Sequence, residues 1–245
     1  MNTRKKDWKL VIGNFLFKYR SITPIPLIVL VFLLFRPRNL GQMNGVVTGV
    51  GILLSLGGEM IRALAVGFSL SGTSGREAYF KADGINTRGI YSVTRNPLYI
   101  GNFFIFAGLL IVFSNLYALL FFMPFLIVQY DFIILAEERF LSRNHGKLYE
   151  QYRHLTPRIL PSLGNFKKPD IPFDCKKVLF KENDSIFNML IMLILILVYK
   201  ELVFFGNIIH GSGFIGSALV LIILYVVIKV FKKTSQSNLS HGSGN

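Results

Sequence analysis

The fold class this sequence predicts is all-α: a polytopic integral membrane bundle of about six transmembrane helices. Hydrophobic residues make up 52% of the chain, with 23 phenylalanines, and mean hydropathy is +0.50, more apolar than a soluble domain of this length needs to fill one core. The apolar residues are gathered into runs near the length of about 20 residues that crosses a hydrocarbon core about 30 Å thick. Basic residues, finally, avoid one set of the segments that join those runs. Of the 27 Lys and Arg, only Arg36, Arg38 and Lys200 lie on one side of a six-span topology, with Arg62 inside a span. By the positive-inside rule both termini are then cytoplasmic, and the expected location is a bacterial inner membrane.

Along the chain, residues 1–20 alternate lysine and arginine with Trp8, Phe15 and Phe17, the pattern of an interfacial helix lying on the membrane. The first apolar run, 21–35, carries Pro24 and Pro26 and has no small-residue cleavage site after Phe35, so it reads as an uncleaved span. The second, 43–69, holds Gly45, Gly49, Gly51, Gly57 and Gly58. No strand precedes them, so close helix packing is expected and not dinucleotide binding. Residues 71–96 are rich in Gly, Ser, Thr and charge and read as a cytoplasmic connector. Pro97 suits a first helical turn and opens the run 97–113; Ser114-Asn115 makes a hairpin turn into 116–136. Helix-like sequence continues through Tyr152 until Pro157 and Pro161 stop it. Four units follow: an N-terminal helix (1–20), a core (21–163), a basic linker (164–184), and an appended pair of spans, 185–204 and 207–230, with a tail to residue 245.

Composition removes several function classes. A net charge of +14 would suggest nucleic acid in a soluble protein, but topology accounts for it here, and the basic face suits anionic membrane lipids. The single cysteine, Cys175, excludes intramolecular disulfides and cysteine-only metal clusters, and the four histidines show no metal-ligand spacing. There is no P-loop and no nucleophile elbow.

The chemistry lies in two polar clusters at the two ends of one membrane hairpin, which must therefore face the same side. The first is Gly89-Ile-Tyr91-Ser-Val-Thr-Arg95-Asn96-Pro97-Leu-Tyr99-Ile-Gly101. The second starts at Glu137-Glu138 and continues through Leu141, Gly146, Tyr149 and Tyr152 to Pro157-Arg158 and Pro161. Taken singly, these residues have plain readings: Arg95 snorkelling to phosphate, Tyr91 and Tyr99 as belt tyrosines, Glu59 and Arg62 as an i, i+3 pair that fixes helix packing. Their joint order and spacing carry more.

That ordered set resembles the isoprenylcysteine carboxyl methyltransferase family, within the wider group of membrane methyltransferases that includes phospholipid N-methyltransferases. The pattern is G-x-Y-x-x-x-R-H-P-x-Y-x-G, then E-E-x-x-L and Y-x-x-Y-x-x-x-x-P-R. Gly58-Glu59 through Arg62 to Gly67 resembles the second span of bacterial members. The likeness covers roughly residues 43–163, and Asn96 stands where the family usually has histidine. It implies S-adenosylmethionine (AdoMet) as methyl donor, with Tyr91, Arg95, Asn96, Tyr99, Glu137 and Glu138 lining its pocket. Carboxylates would meet the ammonium or ribose hydroxyls, and Arg95 the methionine carboxylate through its planar fork. Arg95, Glu138 and Arg62 are expected to carry catalysis, and Glu59, Arg62, Tyr149, Tyr152 and Arg158 to bind a lipophilic acceptor. Asn96 cannot take up a proton, which favours an already anionic oxygen acceptor of the isoprenylcysteine type. A phospholipid amine is the alternative. A transporter or assembly protein on a degenerate core is the rival from another class.

Overall fold

The computed structural model describes residues 7–70 and 84–241, with side chains through 235. The inner basic residues Arg4, Lys5, Lys6, Arg76 and Lys81, and half of the expected connector (71–83), lie outside the described residues. The described fold is a helical bundle. Its helices are α1 (Trp8–Lys18), α2 (Pro24–Leu34), α3 (Met43–Gly67), α4 (Ile90–Val93), α5 (Pro97–Phe113), α6 (Leu116–Leu155), α7 (Cys175–Phe205) and α8 (Gly211–His241). A 3₁₀ turn, Leu163–Asn165, interrupts the segment between α6 and α7.

Every expected apolar run is helical, but the six do not have equal reach. Stretches of α3, α6, α7 and α8 are long and apolar enough to cross a membrane. The other two fall short: α2 has 11 residues and α5 has 17, about 16 and 25 Å at 1.5 Å per residue. Breakers set these limits. Pro24 opens α2 and the Arg36-Pro37 step lies just beyond it, while α5 runs from Pro97 to Ser114, which turns left-handed at φ 59°.

The tightest packing joins α3 to α5 through opposed glycines. A methyl on Gly58 would lie 2.5 Å from the Gly101 carbonyl, and one on Gly51 2.6 Å from that of Gly108. Between these two contacts Ser55 Oγ donates to the Ile105 carbonyl at 3.1 Å. Gly51 and Gly58 thus serve the close packing expected of them, whereas Gly45, Gly49 and Gly57 face open space.

At the hairpin, Asn115 caps α6 by accepting from the Tyr117 and Ala118 amides, and its own amide donates to the Arg36 carbonyl at 2.7 Å. From α7, buried Lys200 donates to Val112 O and Ser114 Oγ, each at 3.0 Å, placing a cation on the carboxyl end of α5. Between α2, α5 and α7, Tyr199 stacks on Phe113, and Phe32 meets Phe113 edge-on and Tyr199 at a tilt.

These contacts make α7 part of the bundle, where sequence had suggested an appendage. It also starts at Cys175, within the stretch read as linker, because Asp174 caps its first turn. α8 packs on α7, held by Asp184, which accepts from Tyr225 at 2.8 Å and pairs with Lys229 at 2.7 Å.

Candidate functional site

The far end of α6 bends back at Gly146, whose φ of 48° and ψ of −123° lie in a region that side chains disfavour. The bend returns Tyr149 and Tyr152 toward the start of α5. Tyr152 Oη donates to the Tyr91 carbonyl at 2.7 Å, and its ring meets Tyr149 edge-on. Beyond α6 the chain runs back beside residues 89–95. Arg95 N donates to Pro157 O at 2.9 Å, Ser162 N to Val93 O at 3.0 Å and Gly89 N to Lys167 O at 2.8 Å. The two polar clusters predicted to share one end of the hairpin are laced together there.

Arg95 is the knot. Its Nε and Nη2 donate to Glu138 Oε1 at 3.0 and 2.8 Å, and its Nη1 to the carbonyls of Arg153 and Thr156 at 2.7 and 2.8 Å. Four of the five guanidinium N–H directions are thereby committed, so the fork expected for a cofactor carboxylate is already occupied by protein. Asn96, the N-cap of α5, donates from Nδ2 to Arg158 O at 3.0 Å. Arg158 places Nη1 2.5 Å from Asp131 Oδ1, and its Nε lies 3.5 Å from Glu138 Oε2 without a hydrogen bond. Arg158 Nε is thus a buried donor that faces Glu138 but makes no hydrogen bond.

Glu137, next to Glu138, points elsewhere. Its Oε2 accepts from Tyr99 Oη at 2.9 Å, and the Tyr99 ring packs on Tyr130 with centroids 5.1 Å apart. Arg20, at the α1–α2 turn, lies within electrostatic reach of the same carboxylate. Tyr91, on α4, is half-buried and lies within electrostatic reach of Glu137, Glu182 and Arg62. Burial first, then the two carboxylates, push its phenol above the ordinary value, so it stays a neutral hydroxyl.

Deeper in the bundle, Arg62 extends from α3 along Gly101, where an added methyl would lie 2.5 Å from Arg62 Cγ. Its Nε and Nη2 donate to Glu182 Oε2 at 2.9 and 2.6 Å, and its Nη1 to Asn102 Oδ1 at 2.5 Å. Glu59 Oε2 is 3.9 Å from Arg62 Nε, and Glu59 Oε1 accepts from Ser185 Oγ at 2.7 Å.

The expected site residues therefore fall into two adjoining groups. Arg95, Asn96, Glu138, Tyr149, Tyr152 and Arg158 form a rim. Tyr91, Tyr99, Glu137, Glu59 and Arg62 form an inner group. Sequence reasoning passed over Asn102, Asp131 and Glu182. The first two carried a signal, being polar residues inside apolar runs; Glu182 lay in the stretch set aside as linker.

AdoMet is chemically compatible with this set. Glu137 and Glu138 suit its ammonium and hydroxyls, Tyr99 and Tyr130 offer aromatic faces, and Arg158 retains a donor for its carboxylate.

Residues 47–148 match the family model described as phospholipid methyltransferase, a stretch from α3 to just past the Gly146 bend. No curated protein and no solved structure matches the chain. The matched stretch contains the α3–α5 seam, Arg62, Arg95, Asn96, Tyr99, Glu137 and Glu138, which supports reading the chain as a membrane methyltransferase.

Proposed function

We propose that this protein transfers the methyl group of AdoMet to a lipophilic acceptor, the headgroup amine of a phospholipid, at the polar end of its bundle. The observation that carries the reading is the divergence of two adjacent acids. Glu138 is held at the rim by Arg95, and Glu137 is turned inward to Tyr99. Bound AdoMet supplies a methyl group activated by sulfonium charge, and the protein's part is to hold donor and acceptor in line and exclude water. Rim residues Glu138 and Arg158, with Asn96 at the helix start, would anchor the cofactor's charged end, and Tyr99 and Tyr130 its ring. An amine must lose its proton, and Glu137, the inward carboxylate, is the group in reach of such a proton.

Among the described residues, Arg62 and Arg95 each bond a carboxylate of the protein, which favours a cationic or neutral headgroup over an anionic one. Asn96 no longer argues for an oxygen acceptor, since its amide is engaged by the Arg158 carbonyl. The match to phospholipid methyltransferases points the same way. The second reading, carboxyl O-methylation of a prenylated cysteine, rests on the resemblance of the Gly89–Gly101 and Glu137–Pro161 motifs.

One assay tests both. The full chain in phospholipid vesicles receives AdoMet labelled in its methyl group, with phosphatidylethanolamine or a prenylcysteine carboxylate as acceptor. The expected product is an organic-soluble label that survives alkali. Label released by alkali as methanol marks an ester and selects the second reading. Absence of both AdoMet binding and transfer refutes the methyltransferase assignment.

A further inference from the structure

The family match ends at residue 148, yet the most buried acid in the described chain, Glu182, sits on α7 and is 1% exposed. It takes two of the three hydrogen bonds made by Arg62; the third goes to Asn102. Asn102 lies on α5 one helical turn after Tyr99, the residue that bonds Glu137. Gly101 removes the side chain that would otherwise block the Arg62 stem from reaching this point. Ser185, one turn further along α7, holds Glu59 on α3. α7 thus holds α3 at two points, and through Arg62 it reaches Asn102 on α5.

We propose that Glu182 is a positioning residue of the methyl-transfer site, acting through Arg62 and Asn102 to fix the first turns of α5, so that α7 is a working part of the site although it lies outside the matched region. The proposal rests on the methyltransferase reading. Arg62 alone would be a buried cation free to adopt several rotamers beside Gly58 and Gly101. Glu182 selects one of them, in which the guanidinium plane presents Nη1 to Asn102. Because Tyr99 follows Asn96 and Pro97 and precedes Asn102 on the same helix, a shift at Asn102 moves the hydroxyl that orients Glu137. The rim contacts of Arg95 and Glu138 are made by other residues and remain.

The test is Glu182→Gln in the full chain, compared with Glu182→Asp, Arg62→Gln and the double variant Arg62→Gln/Glu182→Gln. Label transfer to lipid, AdoMet binding and heat melting are measured for each. The expected result for Glu182→Gln is a kcat lower by about ten- to a hundredfold, the scale of a small misplacement, with AdoMet affinity near the parent's. Glu182→Asp recovers part of the loss. The double variant falls no further than Arg62→Gln alone, since both act through one network.

A merely structural role gives a different picture: a lower melting temperature with unchanged kcat per folded molecule, and that overturns the proposal. So does an active parent whose Glu182→Gln variant keeps the parental kcat. If Glu182→Gln does not accumulate, Arg62→Lys replaces it, because lysine can reach Glu182 but cannot also hold Asn102; parental kcat in Arg62→Lys is equally fatal. A parent that neither binds AdoMet nor transfers label removes the methyltransferase reading and this proposal with it.

Discussion

Replacing Arg95 by lysine and Glu138 by glutamine separates the two jobs of the rim pair. Arg95 makes four hydrogen bonds, two to Glu138 Oε1 and one each to the carbonyls of Arg153 and Thr156. Its side chain is 9% exposed and that of Glu138 15%, so water screens the pair little. A lysine ammonium retains Glu138 but cannot reach both carbonyls. The Arg153 carbonyl is solvent-facing and loses little; the Thr156 carbonyl and the second carboxylate bond are lost nearly whole. At about 0.5–1.5 kcal/mol per bond, the sum is about 2 kcal/mol. If that strain falls on the cofactor pocket, AdoMet affinity drops about thirtyfold. Glu138→Gln is the complement, because the amide oxygen still accepts from Arg95 while the negative charge disappears. Loss of a charged hydrogen bond to the cofactor's ammonium costs about 1.5–3 kcal/mol, or about ten- to a hundredfold in affinity. Equilibrium binding of labelled AdoMet to purified protein, with heat melting alongside, measures both. Parental affinity in both variants, at parental melting temperature, would refute the placement of the cofactor at this rim.

Gly58→Ala and Gly101→Ala press a methyl onto backbone 2.5 and 2.7 Å away, and each is expected to cost about 1–3 kcal/mol of stability along with activity, whereas Gly57→Ala, which meets nothing within 4 Å, is silent in the same melting assay. Gly146→Ala meets no neighbour but strains a positive φ at a cost of about 1–3 kcal/mol, and by straightening α6 it lowers methyl transfer more than its melting shift alone explains. Asn96→Ala loses the bond to the Arg158 carbonyl and weakens AdoMet binding by about 0.5–1.5 kcal/mol, while Asn96→His retains activity with no new essential base in the pH profile; unchanged AdoMet affinity with collapsed turnover in Asn96→Ala would move this residue to the acceptor. A reporter active only outside the cytoplasm, fused after residue 245, stays silent if the partition of basic residues sets the topology; a strong signal there means an odd number of crossings, and α2, at 11 residues, is the first helix to remove from the count.

What sequence disclosed, and what it could not, follows from the range of each interaction. Apolar runs, the proline that starts α5 and the Ser114-Asn115 turn are local, and they appear as read. The glycines of α3 signalled close packing, but which of them meet α5 depends on how two helices are rotated about their axes. Ends were harder: residues 21–35 form a helix of only 11 residues because prolines and a basic step clip both sides. The partners of the charged residues were harder still. Arg62 seemed paired with Glu59 at i, i+3, yet its short contacts go to Glu182, 120 positions away, and Asn102, 40 away. Arg95 was given a cofactor carboxylate as partner, while the fold gives it Glu138 and two carbonyls that exist as a cluster only after α6 has bent at Gly146. No local pattern encodes that bend's consequence, because the residues it brings together are 58 and 61 positions apart.

The adjacency of Glu137 and Glu138 also explains why the polar end has two groups of contacts. Consecutive residues on a helix point about 100° apart, so two neighbouring carboxylates cannot serve one small ligand group together. Each has a different anchor here, one before the start of α5 and one a turn inside it, and those anchors, Arg95 and Tyr99, are themselves about one helical turn apart. The start of α5 is therefore the hinge of the arrangement. Asn96 stands at its N-cap position, Pro97 fixes its first turn, Gly101 lets the Arg62 stem pass, and Asn102 accepts from Arg62, which Glu182 of α7 holds. A bundle whose reacting partners arrive from two phases, a charged cofactor from water and a lipid from the bilayer, needs one rigid element that faces both. In the proposed mechanism the first two turns of α5 are that element, and the buried polar contacts around them concentrate there because rotation of this short helix about its axis is the motion that would uncouple the two acids.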